Sequence, residues 1–340
     1  MKKYKYKVDV PVFLVFFNRP EPLKKVFESI RMARPSKLFL CQDGAREGNK
    51  SDLENINKCR EIVSNIDWEC EVYHDYSKSN LGCGMRIFSG ITNAFKKVDR
   101  LIIIEDDIVA NQSFYRFCEE LLEKYRDDKR INMISGMNHM GIYDKTKKDY
   151  FFTESGSIWG WATWKRAWEQ VEYDMPYIED KDLMNNLYNS LSNKQKAIKL
   201  IKTGEERRKI LSNGQKLSAW SYQAGMGMYL NNQVNIVPKY NLISNIGLTE
   251  ESVHAVNDLK KIPKGLQRVF FAPTYELNFP INHPKYMIND KYYEKQVDKI
   301  MGNNFWINNF RKLETALRFI IYGDIKGIYK RIKKKVGMVK

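Results

Sequence analysis

Leu101-Ile102-Ile103-Ile104-Glu105-Asp106-Asp107 runs four apolar residues straight into three carboxylates. An unbroken apolar run of this length reads as a strand buried on both faces, as in a parallel sheet covered by helices. The carboxyl end of such a strand is where open α/β sheets place their ligands. Three acids packed that closely repel one another, and a divalent cation holding a phosphate is the usual means of offsetting the charge. The plainer reading is a strand whose acidic exit caps the next helix.

Outward from this stretch the chain alternates between two periods. Strands are expected at 10–17, 37–41, 69–74 and 101–104, and helices at 21–32, 51–65, 84–97 and 112–126. That alternation predicts βαβ units and an α/β fold with a mostly parallel mixed sheet flanked by helices. Further strands are expected near 131–135, 149–153 and 234–237. Residues 178–212 are lysine-rich and helical by pattern, an insertion over the sheet edge. Beyond residue 275 the chain changes character, with Pro280, His283-Pro284 and tyrosine-rich polar stretches. The expected division is a domain over 1–275 and a C-terminal wrap with a basic tail over 276–340.

The 340 residues, 43% of them hydrophobic, suffice for a sizeable core and exclude a disordered chain. No apolar run reaches the roughly 18–20 residues needed to span a bilayer. The apolar stretch Val10–Phe17 resembles a signal peptide only superficially, since Asn18-Arg19-Pro20-Glu21-Pro22 offers no small-residue cleavage site. Five cysteines without a CxxC pair argue against a disulfide framework or a zinc site and fit a reducing, cytoplasmic setting. The net charge is +16, and residues 311–340 carry ten Lys/Arg against Glu314 and Asp324, hence +8 of it.

The ends of the four expected strands carry Asn18-Arg19-Pro20, Gln42-Asp43-Gly44, Asn80-Leu81-Gly82 with Arg86, and Glu105-Asp106-Asp107. In a parallel sheet these clusters meet at the carboxyl edge, and the glycines at 82 and 84 permit close approach of an anion to a helix start. Taken in order, the clusters resemble a GT-A glycosyltransferase, in particular the N-acetylglucosaminyltransferase I-like group and its bacterial relatives. The resemblance extends through Gly156-Ser157-Ile158-Trp159-Gly160-Trp161, Ala219-Trp220-Ser221-Tyr222-Gln223 and Pro238–Gly247, covering roughly residues 8–255.

The resemblance implies a GT-A fold and transfer of a sugar, with inversion, from a nucleoside diphosphate, commonly of uracil. Arg19 and Asp43 would hold the nucleotide, with Asn18, Asn80, Gly82 and Arg86 near the base and phosphates. Asp107 would ligate Mn²⁺ (or Mg²⁺), with Glu105 and Asp106 orienting waters, ribose or sugar, and His254 resembles a late histidine that some such enzymes add to the metal. Trp159, Trp161, Trp220 and Ser221 would line the acceptor or sugar wall. The spacing of Trp161, Trp164 and Trp168 is helical, so part of that stripe is expected to pack. Relatives carry a general-base carboxylate where this chain has Ser221-Tyr222, neither a competent base at neutral pH. Three explanations stand: Asp174, Asp180, Glu250 or Glu251 supplies the base, the acceptor needs none, or activity is lost.

In the tail, Leu313, Leu317, Ile320, Ile321, Ile325 and Ile328 form a helical stripe opposed by Lys and Arg, with Tyr322 and Tyr329 beside it. That pattern suits a helix lying in the interface of an anionic membrane, here the inner face of the cytoplasmic membrane. The expected partners are a nucleoside-diphosphate sugar, a glycan or lipid-linked acceptor and that membrane. Nucleic acid is not expected, because aromatic residues are not interleaved with the charge in any recognised pattern. The alternatives are a nucleotide-sugar-binding protein with weak or no transferase activity, a sugar nucleotidyltransferase, and a basic binding module without chemistry.

Overall fold

The computed structural model describes residues 4, 5, 7–248 and 259–322. The amino-terminal half follows the expected alternation: β1 (Val12–Phe16), α1 (Pro20–Ala33), β2 (Lys37–Gln42), α2 (Lys50–Ser64), β3 (Glu71–Tyr76), α3 (Cys83–Ala94) and β4 (Arg100–Glu105). A short β5 (Ile108–Ala110) precedes α4 (Gln112–Lys124), β6 (Ile131–Ser135), β7 (Tyr150–Thr153), β8 (Trp161–Trp164) and α5 (Lys165–Trp168). The lysine-rich stretch forms α6 (Lys181–Ser190) and α7 (Lys194–Ser212). Then come α8 (Ser221–Leu230), β9 (Val234–Pro238), β10 (Ile243–Asn245), α9 (Lys264–Gln267), α10 (Lys291–Met301) and α11 (Phe305–Ile321).

Eight strands form one mixed sheet in the order β3-β2-β1-β4-β8-β6-β9-β7. All but β8 and β7 run in one direction, so β1, β2, β3 and β4 deliver their carboxyl ends to one edge. Alternation along β1 sorts the core into two layers. Val12, Leu14 and Phe16 pack with Leu23, Val26 and Ile30 of α1 and with Phe114 and Leu121 of α4. Phe13 and Val15 face the other way, toward Ile87 and Ile91 of α3 and the indoles of Trp161, Trp168 and Trp220. Two-sided burial of β1 and β4 is what a hydrophobic strand covered by helices on both faces requires.

One expectation is overturned. Trp161, Trp164 and Trp168 do not share a helix: Trp161-Ala162-Thr163-Trp164 is β8, inserted antiparallel between β4 and β6. Its tryptophans therefore point to opposite faces, Trp161 into one layer and Trp164 into the other, and only Trp168 lies on the short α5. A spacing of three residues fits both a helix and opposite faces of a strand, and pairing with two neighbours decides for the strand.

Helices α6, α7 and α8 enclose a separate apolar cluster around Met175, Leu187, Ala197 and Met226. Beyond residue 275 the chain packs back on the body: Ser113 donates to Glu276, and Tyr293 of α10 is buried with Tyr143, Phe151 and Val237. Residues 323–340, with Ile325, Ile328, Tyr329 and the Lys326–Lys335 cluster, lie outside the described residues. No helix among the described residues is long and apolar enough to cross a membrane.

Candidate functional site

The carboxylates of the opening stretch stand at the carboxyl edge of the sheet, in the turn between β4 and β5. Asp106 is buried and Glu105 half-buried, while the Asp107 side chain is 18% exposed. Arg19, at the start of α1, bridges two of them: its Nη2 donates to Asp107 Oδ2 at 3.0 Å and also to Asp106 Oδ1. The Phe17 backbone N–H donates to Asp106 Oδ2 at 3.2 Å. Burial disfavours charge on Glu105 and pushes its carboxyl well above the usual range; Asp107 and Asp106 push the same way, and Arg19 offsets part of this. Asp106 is raised too, by burial first, against the pull of Arg19.

A ribbon outside the main sheet completes this corner. β10 pairs antiparallel with β5, setting Asn245 opposite Ile108. The Ile246 N–H then donates to the Asp107 carbonyl at 2.9 Å, and the Gly247 N–H to Asn245 Oδ1 at 2.8 Å. Gly247 lies so close that a Cβ there would stand 2.1 Å from Asp107 Oδ2. Asn245 and Gly247 belong to the Asn-Ile-Gly stretch that carried part of the resemblance, yet spacing alone gave no reason to place them at the acids.

Asp43, at the end of β2, holds the neighbouring loop. Its Oδ1 accepts the N–H of Leu81 at 2.8 Å and of Gly44 at 2.9 Å, and its Oδ2 accepts that of Gly82 at 2.9 Å. Gly82 sits at φ +79° and opens α3, while Asn80 Nδ2 donates to the Gly44 carbonyl at 2.8 Å. Lys216 Nζ donates to the Asn80 carbonyl at 2.8 Å, a cation at this edge that the sequence did not single out. Asn18 and Arg86 are engaged within the protein. Asn18 Nδ2 donates to Asp52 Oδ1 at 2.7 Å, and Arg86 Nη2 donates to the Asp75 carbonyl at 2.7 Å and pairs with its carboxylate at 2.8 Å.

A cavity of about 560 Å³ lies on the sheet face under α7, α8 and α10, with Trp159, Trp161, Ser221 and Tyr222 in its wall. Trp161 pairs with Ile103 of β4, two residues before Glu105, so this wall begins next to the acidic strand. Trp161 and His139 line the cavity, and among the described residues Trp161 Nε1 and His139 Nδ1 are buried without a hydrogen-bond partner. Trp220 is not in the wall: it is 2% exposed and stacks on Trp161 with centroids 5.5 Å apart.

The base candidates are dispersed. Asp180 caps α6 by accepting the Leu183 N–H at 2.9 Å, and Asp174 is exposed, its carbonyl taking Arg208 Nη1 at 3.0 Å. Glu250, Glu251 and His254 lie outside the described residues. Tyr222 is committed to the Leu200 carbonyl at 3.0 Å. Two carboxylates unmarked in the sequence line the cavity: Glu154, held by Asn289 at 2.8 Å and Lys291 at 2.9 Å, and Asp298, held by Asn193 at 2.7 Å.

Among the described residues no three His, Cys, Asp or Glu side chains converge into an ion cage. The donor set at the β4 exit nevertheless suits a hard cation that draws its remaining ligands from phosphates and water. Three carboxylates face the positive charge of Arg19; burial pushes Glu105 and Asp106 up first, and the neighbouring acids add to it.

Fold and site together define a mixed α/β protein with an acidic cluster and an arginine at the carboxyl edge of its sheet. No family model and no curated protein matches the sequence. Among solved structures, HddC from Yersinia pseudotuberculosis matches over 37% of this chain and 57% of its own, at 13% identity and a TM-score of 0.25. The chain thus spans little more than half of that structure's length, a likeness too slight to bear on activity.

Proposed function

We propose that this protein is a metal-dependent glycosyltransferase of the GT-A type, moving a sugar from a nucleoside diphosphate, commonly of uracil, to a glycan or lipid-linked acceptor. The reading rests on one observation above all: Glu105, Asp106, Asp107 and Arg19 cluster at the sheet edge, next to the Asp43-held loop at the start of α3. Asp107, the more exposed of the two acids bound by Arg19, would hold Mn²⁺ or Mg²⁺, which neutralises charge on the departing diphosphate. Arg19 sets the position of Asp107 and Asp106 and offers a second positive charge to the phosphates. The N–H groups that open α3 face the same edge and favour an anion there. The acceptor would enter the cavity walled by Trp159 and Trp161, whose faces suit the C–H faces of a sugar. Glu154 and Asp298 then join Asp174, Asp180, Glu250 and Glu251 as candidates for the base that Ser221 and Tyr222 cannot supply.

Calorimetric titration of UDP, GDP and CDP, with and without Mn²⁺, into wild type and Asp107→Asn tests this. Manganese-dependent binding of one nucleotide, lost in the variant, is expected; no binding by any of them overturns the reading. The missing base at Ser221-Tyr222 favours one second reading, a nucleotide-sugar-binding protein with little turnover. Sugar transfer to any acceptor, abolished by Asp107→Ala in a folded protein, would dispose of it. Pyrophosphate release from a nucleoside triphosphate and a sugar phosphate would point instead to a nucleotidyltransferase.

A further inference from the structure

Helix α11 is packed with its polarity reversed. A surface helix ordinarily buries its apolar stripe and turns charge to water. Here Arg311, Glu314, Thr315 and Arg318 face the protein. Arg311 Nη2 donates to the Lys299 carbonyl at 3.1 Å and Arg318 Nη1 to the Lys260 carbonyl at 2.9 Å. Glu314 accepts from the Lys264 N–H at 2.9 Å and from Arg318 Nε at 2.8 Å, and Thr315 is buried. The opposite face carries Trp306 78%, Phe310 66%, Leu313 59%, Leu317 50%, Ile320 62% and Ile321 73% exposed. At 3.6 residues per turn these six side chains fall within an arc of about 100°. A contiguous outward apolar face, held there by polar contacts and the buried Phe319 on the inner side, calls for an apolar neighbour.

We propose that α11 docks on an anionic lipid surface, lying in the plane of the interface with this stripe immersed. The charge of the chain chooses among occupants. After α11, residues 323–340 carry Lys326, Lys330, Arg331, Lys333, Lys334, Lys335 and Lys340 against Asp324 alone. Acidic headgroups attract this excess of cations, whereas the like net charge of a second copy repels it. Trp306 at the start of the stripe is a residue type favoured at the headgroup boundary. The inference goes beyond the nucleotide site and stands whether or not that site transfers a sugar.

Co-sedimentation of the full chain with vesicles of phosphatidylcholine plus phosphatidylglycerol, and of phosphatidylcholine alone, tests it. Binding to the acidic vesicles is expected, weaker in high salt, and reduced at least about tenfold in Leu313→Ser/Leu317→Ser. Both positions are exposed, so the unfolding midpoint of the variant should match wild type, and Asp107→Asn should sediment like wild type. Absence of binding, equal binding to neutral vesicles, or an undiminished double variant would overturn the proposal. So would a concentration-dependent dimer in lipid-free sedimentation velocity that the double variant abolishes, since a second copy would then cover the stripe.

Discussion

Replacing Asp43 with asparagine separates two roles for the best-connected acid of the sheet edge. Asp43 is 6% exposed, and three backbone N–H groups converge on it, Leu81 and Gly44 on Oδ1 and Gly82 on Oδ2. A hydrogen bond to a charged acceptor contributes roughly 1.5–3 kcal/mol, a neutral one about 1 kcal/mol. In Asp43→Asn the retained oxygen keeps two bonds at neutral strength, while its amide nitrogen meets the Gly82 N–H donor to donor. Summed, the loss is about 2.5–7 kcal/mol, a large share of the roughly 5–15 kcal/mol that holds a domain folded. Asp43→Ala strands all three donors and should cost more. Urea unfolding followed by circular dichroism measures both. If Asp43→Asn stays within about 0.5 kcal/mol of wild type, the loop-holding argument is refuted. Unchanged stability with altered preference among UDP, GDP and CDP would assign Asp43 to the base contact that the family resemblance implies.

Gly247→Ala should displace the Asp107 carboxylate, which a Cβ would approach to 2.1 Å, and lower manganese-dependent nucleotide affinity at least about tenfold. Its stability should change by less than about 1 kcal/mol, because the clash is with a side chain and the reduced chain entropy of alanine offsets it; calorimetry and urea unfolding check the two halves. Asp107→Asn should weaken metal-dependent nucleotide binding more than Glu105→Gln, and equal or reversed losses would mean that the ligand is misassigned. Burial lowers the His139 pKa from 6.5 to about 4, so the unfolded chain binds the extra proton as pH falls through that window. His139 therefore withdraws stability on acidification, about 2 kcal/mol between pH 7 and pH 5. His139→Gln should flatten the pH dependence of the urea midpoint by that amount; a slope equal to wild type would show that His139 titrates normally.

Local periodicity carried most of the fold. Strands β1 to β4 and β6, and helices α1 to α4, stand within a few residues of their expected places, because strand-like runs and 3.6-residue amphipathicity are imprinted on contiguous residues. The meeting of Arg19 with Asp106 and Asp107 was also legible, since parallel strands bring their carboxyl ends to one edge. Partnerships within the edge were not. The contacts of Arg86 with Asp75 and of Asn18 with Asp52 could not be read there, because the direction of a side chain depends on neighbours distant in the chain.

What the sequence determined by itself is the strand-helix alternation, the acidic exit of β4 and the apolar stripe of α11, all properties of consecutive residues. Only the tertiary structure decided that Trp161–Trp164 is an antiparallel strand between β4 and β6, which required both partners to be in place. It also decided that Gly247, 140 residues beyond Asp107, abuts its carboxylate, through the pairing of β10 with β5. The same holds for α11: the stripe is written in the residues, but carbonyls and backbone amides at 260, 264 and 299 capture its charged side and turn the apolar side outward. Amphipathicity fixes an axis across a helix, and only the surface it meets fixes which way that axis points.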